Sequence, residues 1–343
     1  MTNSTCLLQP SLATSVALPV IYSLLFPAGS FGNILTAWIF SKQAPTKRTQ
    51  YIYLGNLVTA NVLVCSTMPF LAAYFARGYQ WSYESIECKI ANHLGTLIMH
   101  VSMYATIIIL CSTAISQYAT LKKTSDTQYS QAVNENFYRC VLEKFRQPKF
   151  AKYLCIIIWF TVLCITVIAI IYNAKARTAK DSYRCYNIIV EAGEFTARIA
   201  SCVATACFFI SFMTVLLSYY CLNKHLSKIQ KTTCIGEKHL IYNTVKRNIL
   251  VIQMILTVCF LPYHIFRPIF YVLLINNDCP SRYLVEIKNF LTCLAAAKSS
   301  LDPIIILLLD KTFKKSLYGL FTKSTPEHHE RKADIFTEET SKI

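Results

Sequence analysis

Apolar residues in this chain are gathered into seven long runs separated by short polar segments. Five runs contain no Asp, Glu, Lys or Arg: Val16–Phe40, Tyr51–Ala76, Ile90–Leu121, Tyr153–Ala174 and Ile199–Asn223. A sixth, Asn248–Asn277, is broken only by Arg267, and the seventh, Asn289–Leu309, by Lys298 and Asp302. A hydrocarbon core about 30 Å thick is crossed by about 20 apolar residues in an α-helix, and every run reaches that length. Outer-membrane strands would instead alternate in polarity over segments of about ten residues, a pattern the chain does not show. The runs predict an all-α membrane protein built as a seven-transmembrane helix bundle.

Composition and charge give that pattern a direction. Of 343 residues, 54% are hydrophobic and 15% charged, against roughly a quarter charged in a soluble domain. The net charge of +16 would suit a nucleic-acid binder, but the basic residues lie between apolar runs and form no basic domain, so no nucleic acid is expected. With the N-terminus outside, the inner loops 41–50, 122–152 and 224–247 carry sixteen Lys or Arg and four Asp or Glu. The outer segments are close to balance, and the excess of inner positive charge sets the orientation. The first run lacks a basic segment before it and reads as an uncleaved signal anchor. Three regions are expected: an extracellular N-terminus 1–15, a membrane domain 16–309 and a cytoplasmic tail 310–343. In the tail, Phe313, Leu317, Leu320 and Phe321 recur at helical spacing opposite lysines. That spacing predicts a short amphipathic helix after span seven, resting on membrane lipids, with a disordered end beyond it.

Four of the 15 cysteines fall outside the membrane on this topology, Cys6, Cys88, Cys185 and Cys279. They allow three pairings, among which the sequence alone does not choose. The other thiols face the bilayer or a reducing cytosol. Asn3-Ser4-Thr5 is a glycosylation sequon on the expected outer face.

Several motifs occur in order along the runs. They are Gly32-Asn33 in span one; Asn56-Leu57-Val58-Thr59-Ala60-Asn61 and Pro69 in span two; Trp81 before Cys88; Trp159 in span four; Cys259-Phe260-Leu261-Pro262-Tyr263-His264 in span six; and Ser300-Leu301-Asp302-Pro303 in span seven. Over about residues 15 to 322 the chain resembles the rhodopsin family (class A) of G-protein-coupled receptors, and within it the purinergic-like branch. The resemblance implies a plasma-membrane receptor with an unknown extracellular ligand, a heterotrimeric G protein of unknown class as partner, and no cofactor. It also implies the disulfides Cys88–Cys185 and Cys6–Cys279. Carried over to this chain, His264, Arg267 and Lys288 would clamp an anion, a nucleotide phosphate or an acidic lipid headgroup. Tyr263 would stand beside them, and His100 and Tyr104 would line the opposite wall. On physical grounds Arg267 is expensive in lipid and belongs in a bundle interior or wet cavity, where an outer carboxylate such as Glu286 or Asp278 is the plainer partner. Pro262 and Pro303 each remove a backbone hydrogen bond and so permit a kink, whether static or part of a switch.

The chain departs from that pattern where the family keeps its activation machinery. Ser116-Gln117-Tyr118 stands in place of Asp-Arg-Tyr, and glutamine offers no cationic fork. Asn61 replaces a sodium-binding aspartate, Ile306 replaces a tyrosine, and span five has no proline. Cys88 and Gln117 are 29 positions apart, four more than usual for the family. Lys298 lies four residues before Asp302 and is expected to pair with it, in place of the missing sodium. Two functions follow: a signalling receptor, or a receptor fold with little or no coupling that serves as decoy, scaffold or dimer partner. An opsin is excluded because Lys298 is two residues past the opsin-like position, Ala296, and span three has no acidic counterion. A membrane transporter is a third and less favoured alternative, since it would show two matching halves, and no nucleophile–base set or zinc motif marks an enzyme.

Overall fold

The computed structural model describes residues 9–43, 49–126, 136–176, 184–187, 190–191, 195–230, 236–276 and 281–309. The Asn3 sequon, the Cys6–Cys279 tie and the tail helix lie outside the described residues. The chain divides into two compact units, Met1–Ile304 and Ile305–Ile343; the second is described only at 305–309, as helix.

Span one is Leu18–Gln43, led in by a π-helical stretch Ala13–Ala17, and span two is Thr49–Arg77. Span three joins Ile86–Ile90, a π-helical stretch Ala91–Leu97 and Ile98–Asp126. An inner helix, Asn136–Arg146, precedes span four, Pro148–Ala176, and span five is Phe195–Gln230. Span six joins Gly236–Ile255, a π-helical stretch Leu256–Phe260 and Leu261–Asn276, and span seven is Arg282–Leu309. Among the described residues, six of these are long and apolar enough to cross a membrane by length and composition alone. Span seven, which carries Lys298 and Asp302 within its apolar stretch, is not one of those six. Those side chains, one turn apart, pair at 2.5 Å along the helix.

Polarity is arranged for lipid. Leu24 and Phe31 on span one, Ile156 and Phe160 on span four, and Ile210 and Leu217 on span five are exposed. Asn33, Asn61, Ser112, Lys298 and Asp302 are buried. Apolar groups can face hydrocarbon freely, whereas polar groups there must find partners inside the bundle. Glycine permits the tightest packing: a Cβ on Gly32 would meet the Pro303 ring at 2.8 Å, and one on Gly29 would meet Ser300 Oγ at 2.5 Å. Small residues let span one touch span seven nearly backbone to backbone. Trp159 Nε1 donates to Asn56 Oδ1 at 2.9 Å, bracing span four against span two.

Both interrupted spans are wound more widely at useful places. The stretch Ala91–Leu97 lies within the Cys88–Gln117 interval, which the resemblance marks as long, and a wide turn takes up residues with little rise. Leu256–Phe260 ends just before Pro262, whose missing N–H already interrupts the ladder.

A disulfide joins Cys88 to Cys185, with Cα atoms 5.7 Å apart. It pins the loop after span four to the head of span three. Cys185 N donates to Trp81 O at 2.9 Å and Tyr186 N to Gly78 O at 3.0 Å, so the loop is also tied to the turn after span two.

Candidate functional site

In the outer half of the bundle, spans three and six are joined by aromatic and cationic side chains. His100 Nδ1 lies 2.7 Å from Thr96 O; a carbonyl only accepts, so Nδ1 carries the proton. The neutral ring then accepts at Nε2 from the Tyr263 hydroxyl, 2.9 Å away. One turn inward on span three, Tyr104 Oη accepts from Arg267 Nη1 at 3.1 Å, and Tyr271 Oη accepts from Arg267 Nε at 3.1 Å. Tyr271 Oη also meets Ser201 Oγ of span five at 3.0 Å. Arg267 is half-buried as a residue, and its guanidinium lies 5.2 Å from the Tyr263 ring centre and 5.9 Å from that of Tyr271, within the range of cation–π attraction. Among the described residues it bonds hydroxyls and no carboxylate. Glu286, the plainer partner, is 3.4 Å from Arg282 instead, and Asp278 lies outside the described residues.

His264 is placed differently from its neighbours. It is fully buried, stacked on Phe208 with ring centres 3.9 Å apart, and edge-on to Tyr104 and Tyr263. Its Nδ1 donates to Phe260 O at 2.8 Å, which leaves Nε2 as a buried acceptor without a partner among the described residues. Its surroundings are aromatic rings, so it shapes the wall beneath Arg267 more than it offers charge.

Lys288 does not join the Arg267 cluster through a hydrogen bond among the described residues. Its ammonium donates to Glu191 O at 2.7 Å and to Glu191 Oε2, and it stands 5.9 Å over the Phe270 ring. The other carboxylate oxygen, Oε1, accepts from the Tyr74 hydroxyl at 2.5 Å. The motif pattern pointed to neither Glu191 nor Tyr74, Ser201 or Phe208. Tyr271 was legible as the residue one turn after Arg267. Glu191 had no such signal, since its loop has no period. Outside the spans, burial beside the Glu191 carboxylate pushes the Tyr186 phenol above its ordinary range.

A second cluster lies deeper. Lys298 Nζ is 2.5 Å from Asp302 Oδ2 and donates to Asn61 Oδ1 at 3.3 Å. Asn61 Nδ2 donates to Asp302 Oδ2 at 2.7 Å and reaches Asn33 Oδ1 at 3.3 Å. Asn33 Nδ2 donates to Gly29 O and Ser299 O, each at 2.8 Å. Spans one, two and seven are thereby laced by one network. Pro303 follows it directly, packed on Gly32. Toward the inner end of span three, Ser116 and Gln117 are buried and uncharged, Tyr118 is half-buried, and Gln117 Oε1 has no partner among the described residues.

Residues 32–306 match the model of the 7 transmembrane receptor (rhodopsin family), and the chain belongs to that family. It is a multi-pass plasma-membrane receptor and not an enzyme. Among known proteins it is similar to probable G-protein coupled receptor 82 of Homo sapiens, 51% identical over 331 residues, covering 96% of this chain and 98% of the relative. Probable G-protein coupled receptor 34 of Pan troglodytes is 26% identical over 319 residues, covering 92% of this chain and 78% of the relative. A purinoceptor of Bos taurus is 25% identical over 313 residues, 90% of this chain and 86% of that one.

Proposed function

We infer that this receptor is switched from outside by a small anionic molecule held between spans three, six and seven, and that it signals to heterotrimeric G proteins. The observation carrying the reading is Arg267, a half-buried residue whose described partners are tyrosine hydroxyls and rings. A cation in a transmembrane helix costs roughly 2.5–3.5 kcal/mol on insertion scales, and neutral hydroxyls do not cancel it. An anion entering from outside would. The bovine relative is named a purinoceptor, which favours a nucleotide-like ligand; an acidic lipid headgroup presents the same chemistry. A screen of anionic small molecules on cells bearing the native chain or Arg267→Gln, at matched surface level, tests this. A ligand that activates the native chain and not the variant supports the site; equal potency on both removes it.

A second reading keeps the fold without the coupling, and the buried, uncharged Ser116-Gln117 pair favours it. Basal nucleotide exchange on a panel of G proteins separates the two. Exchange by the native chain supports coupling without an arginine; exchange only after Gln117→Arg supports a decoy, scaffold or dimer partner.

On the first reading, Lys298 serves as a tethered cation where relatives would bind sodium. Its bonds to Asp302 and Asn61 occupy the groups that would hold the ion.

A further inference from the structure

The sequence directs two basic side chains to the outer half of the bundle, Arg267 and Lys288, and the structure treats them unequally. They flank the same face of span six: Lys288 stands over Phe270, three residues after Arg267. Arg267 meets only hydroxyls and rings among the described residues. Lys288 meets a complete counter-charge, with both the carboxylate and the main-chain carbonyl of Glu191. The Glu191 side chain is 3% exposed, and its remaining oxygen is taken by Tyr74.

Glu191 is not held there by the lysine alone. Cys185 is fastened to Cys88, Asn187 Nδ2 donates to Arg184 O at 2.6 Å, and Asn187 Oδ1 accepts from Val190 N at 2.9 Å. Glu191 N donates to Asn187 O at 3.0 Å, which ties Glu191 to the segment held by the disulfide. A side chain delivered by its own backbone loses little further freedom in binding Lys288.

We propose that Glu191 is an internal anion that neutralises Lys288, so that of these two cations Arg267 alone is left without a carboxylate among the described residues, and the outer cluster selects a ligand group with a single negative charge. Glu191 is then the residue that sets the charge of the ligand. This rests on the anion reading above and goes beyond it, because Lys288 is removed from the clamp that the sequence pattern assigned to it.

The test uses the purified full chain in lipid nanodiscs, with thermal unfolding as the readout of binding. Three probes are compared: dimethyl phosphate, hexyl methyl phosphate and hexyl phosphate. The first two carry one charge, and the third approaches two above pH ~7. The native chain should be protected more by a singly charged probe than by hexyl phosphate. Protection by dimethyl phosphate indicates a small free anion, and protection by hexyl methyl phosphate alone indicates an amphiphile headgroup; either fits a single-charge site. Glu191→Gln keeps the side-chain shape, exchanges one acceptor for a donor and frees the Lys288 charge, so affinity for hexyl phosphate should rise about tenfold or more relative to the singly charged probes. Should that variant not fold, Lys288→Gln makes the reciprocal case: its unpaired Glu191 carboxylate should weaken every anionic probe. An unchanged preference in Glu191→Gln, or undiminished binding in Lys288→Gln, overturns the assignment. Protection that survives Arg267→Gln overturns instead the anion site on which it rests, as does the absence of protection by any probe.

Discussion

Lys298 and Arg267 are both held inside this bundle, and their surroundings are opposite. Lys298 lies between spans seven and two with its charge met by Asp302, its remaining reach by Asn61, and that amide in turn by Asn33. Arg267 lies in the outer half, held by hydroxyls and rings. A charge closed off by its own fold binds helices together, because opening it strands an ion in low dielectric. A charge met only by hydroxyls is positioned without being neutralised, which suits it to a partner from outside. The pair Lys288–Glu191 is intermediate: neutralised, but by a loop residue and not by a neighbouring span.

The contrast predicts different responses to substitution. Asp302→Asn strands Lys298 and should lower stability by about 3–5 kcal/mol, read as a fall in the thermal transition of the solubilised chain and in surface expression. Adding Lys298→Met should recover most of that loss; a double variant no better than the single one would break the contrast. Next in size is Asn61→Ala, which removes partners of both charged groups and should cost about 1–3 kcal/mol by the same thermal measurement. Arg267→Gln should change stability by no more than about 1 kcal/mol, since a net hydrogen bond is worth about that much and a desolvated cation is relieved, while the response to an anionic ligand is lost. A large loss of stability there would make Arg267 a structural residue. The smallest expected effect is that of sodium. Exchanging potassium for sodium should leave the native transition in place, whereas Lys298→Ala, with the Asp302 carboxylate freed of its ammonium partner, should acquire a sodium dependence. A sodium shift in the native chain would overturn the tethered-cation reading.

Much of the fold was legible because lipid imposes a simple rule on sequence. Each span had to be long, apolar and free of charge, and exceptions had to be compensated; Lys298 and Asp302, four apart, signalled their own pairing. The outer cluster was legible in part. Arg267 stood out as a lone cation in an apolar run, and Tyr104 and Tyr263 were expected near it. The division of labour within that cluster was not legible. His264 and Lys288 share the spacing of a clamp with Arg267, yet one is walled in by Phe208 and the other is occupied by Glu191. Helical spacing reports which side of a helix a residue takes, and nothing about the loop or span that meets it there.

The sequence by itself determined the number of crossings, their direction and the interior place of the charges, because the cost of exposing polar groups to hydrocarbon depends on residue type alone. Only the tertiary structure decided which charges are closed and which stay open. That depends on contacts between segments far apart in the chain, Asn61 with Asp302 and Glu191 with Lys288, which no local pattern encodes.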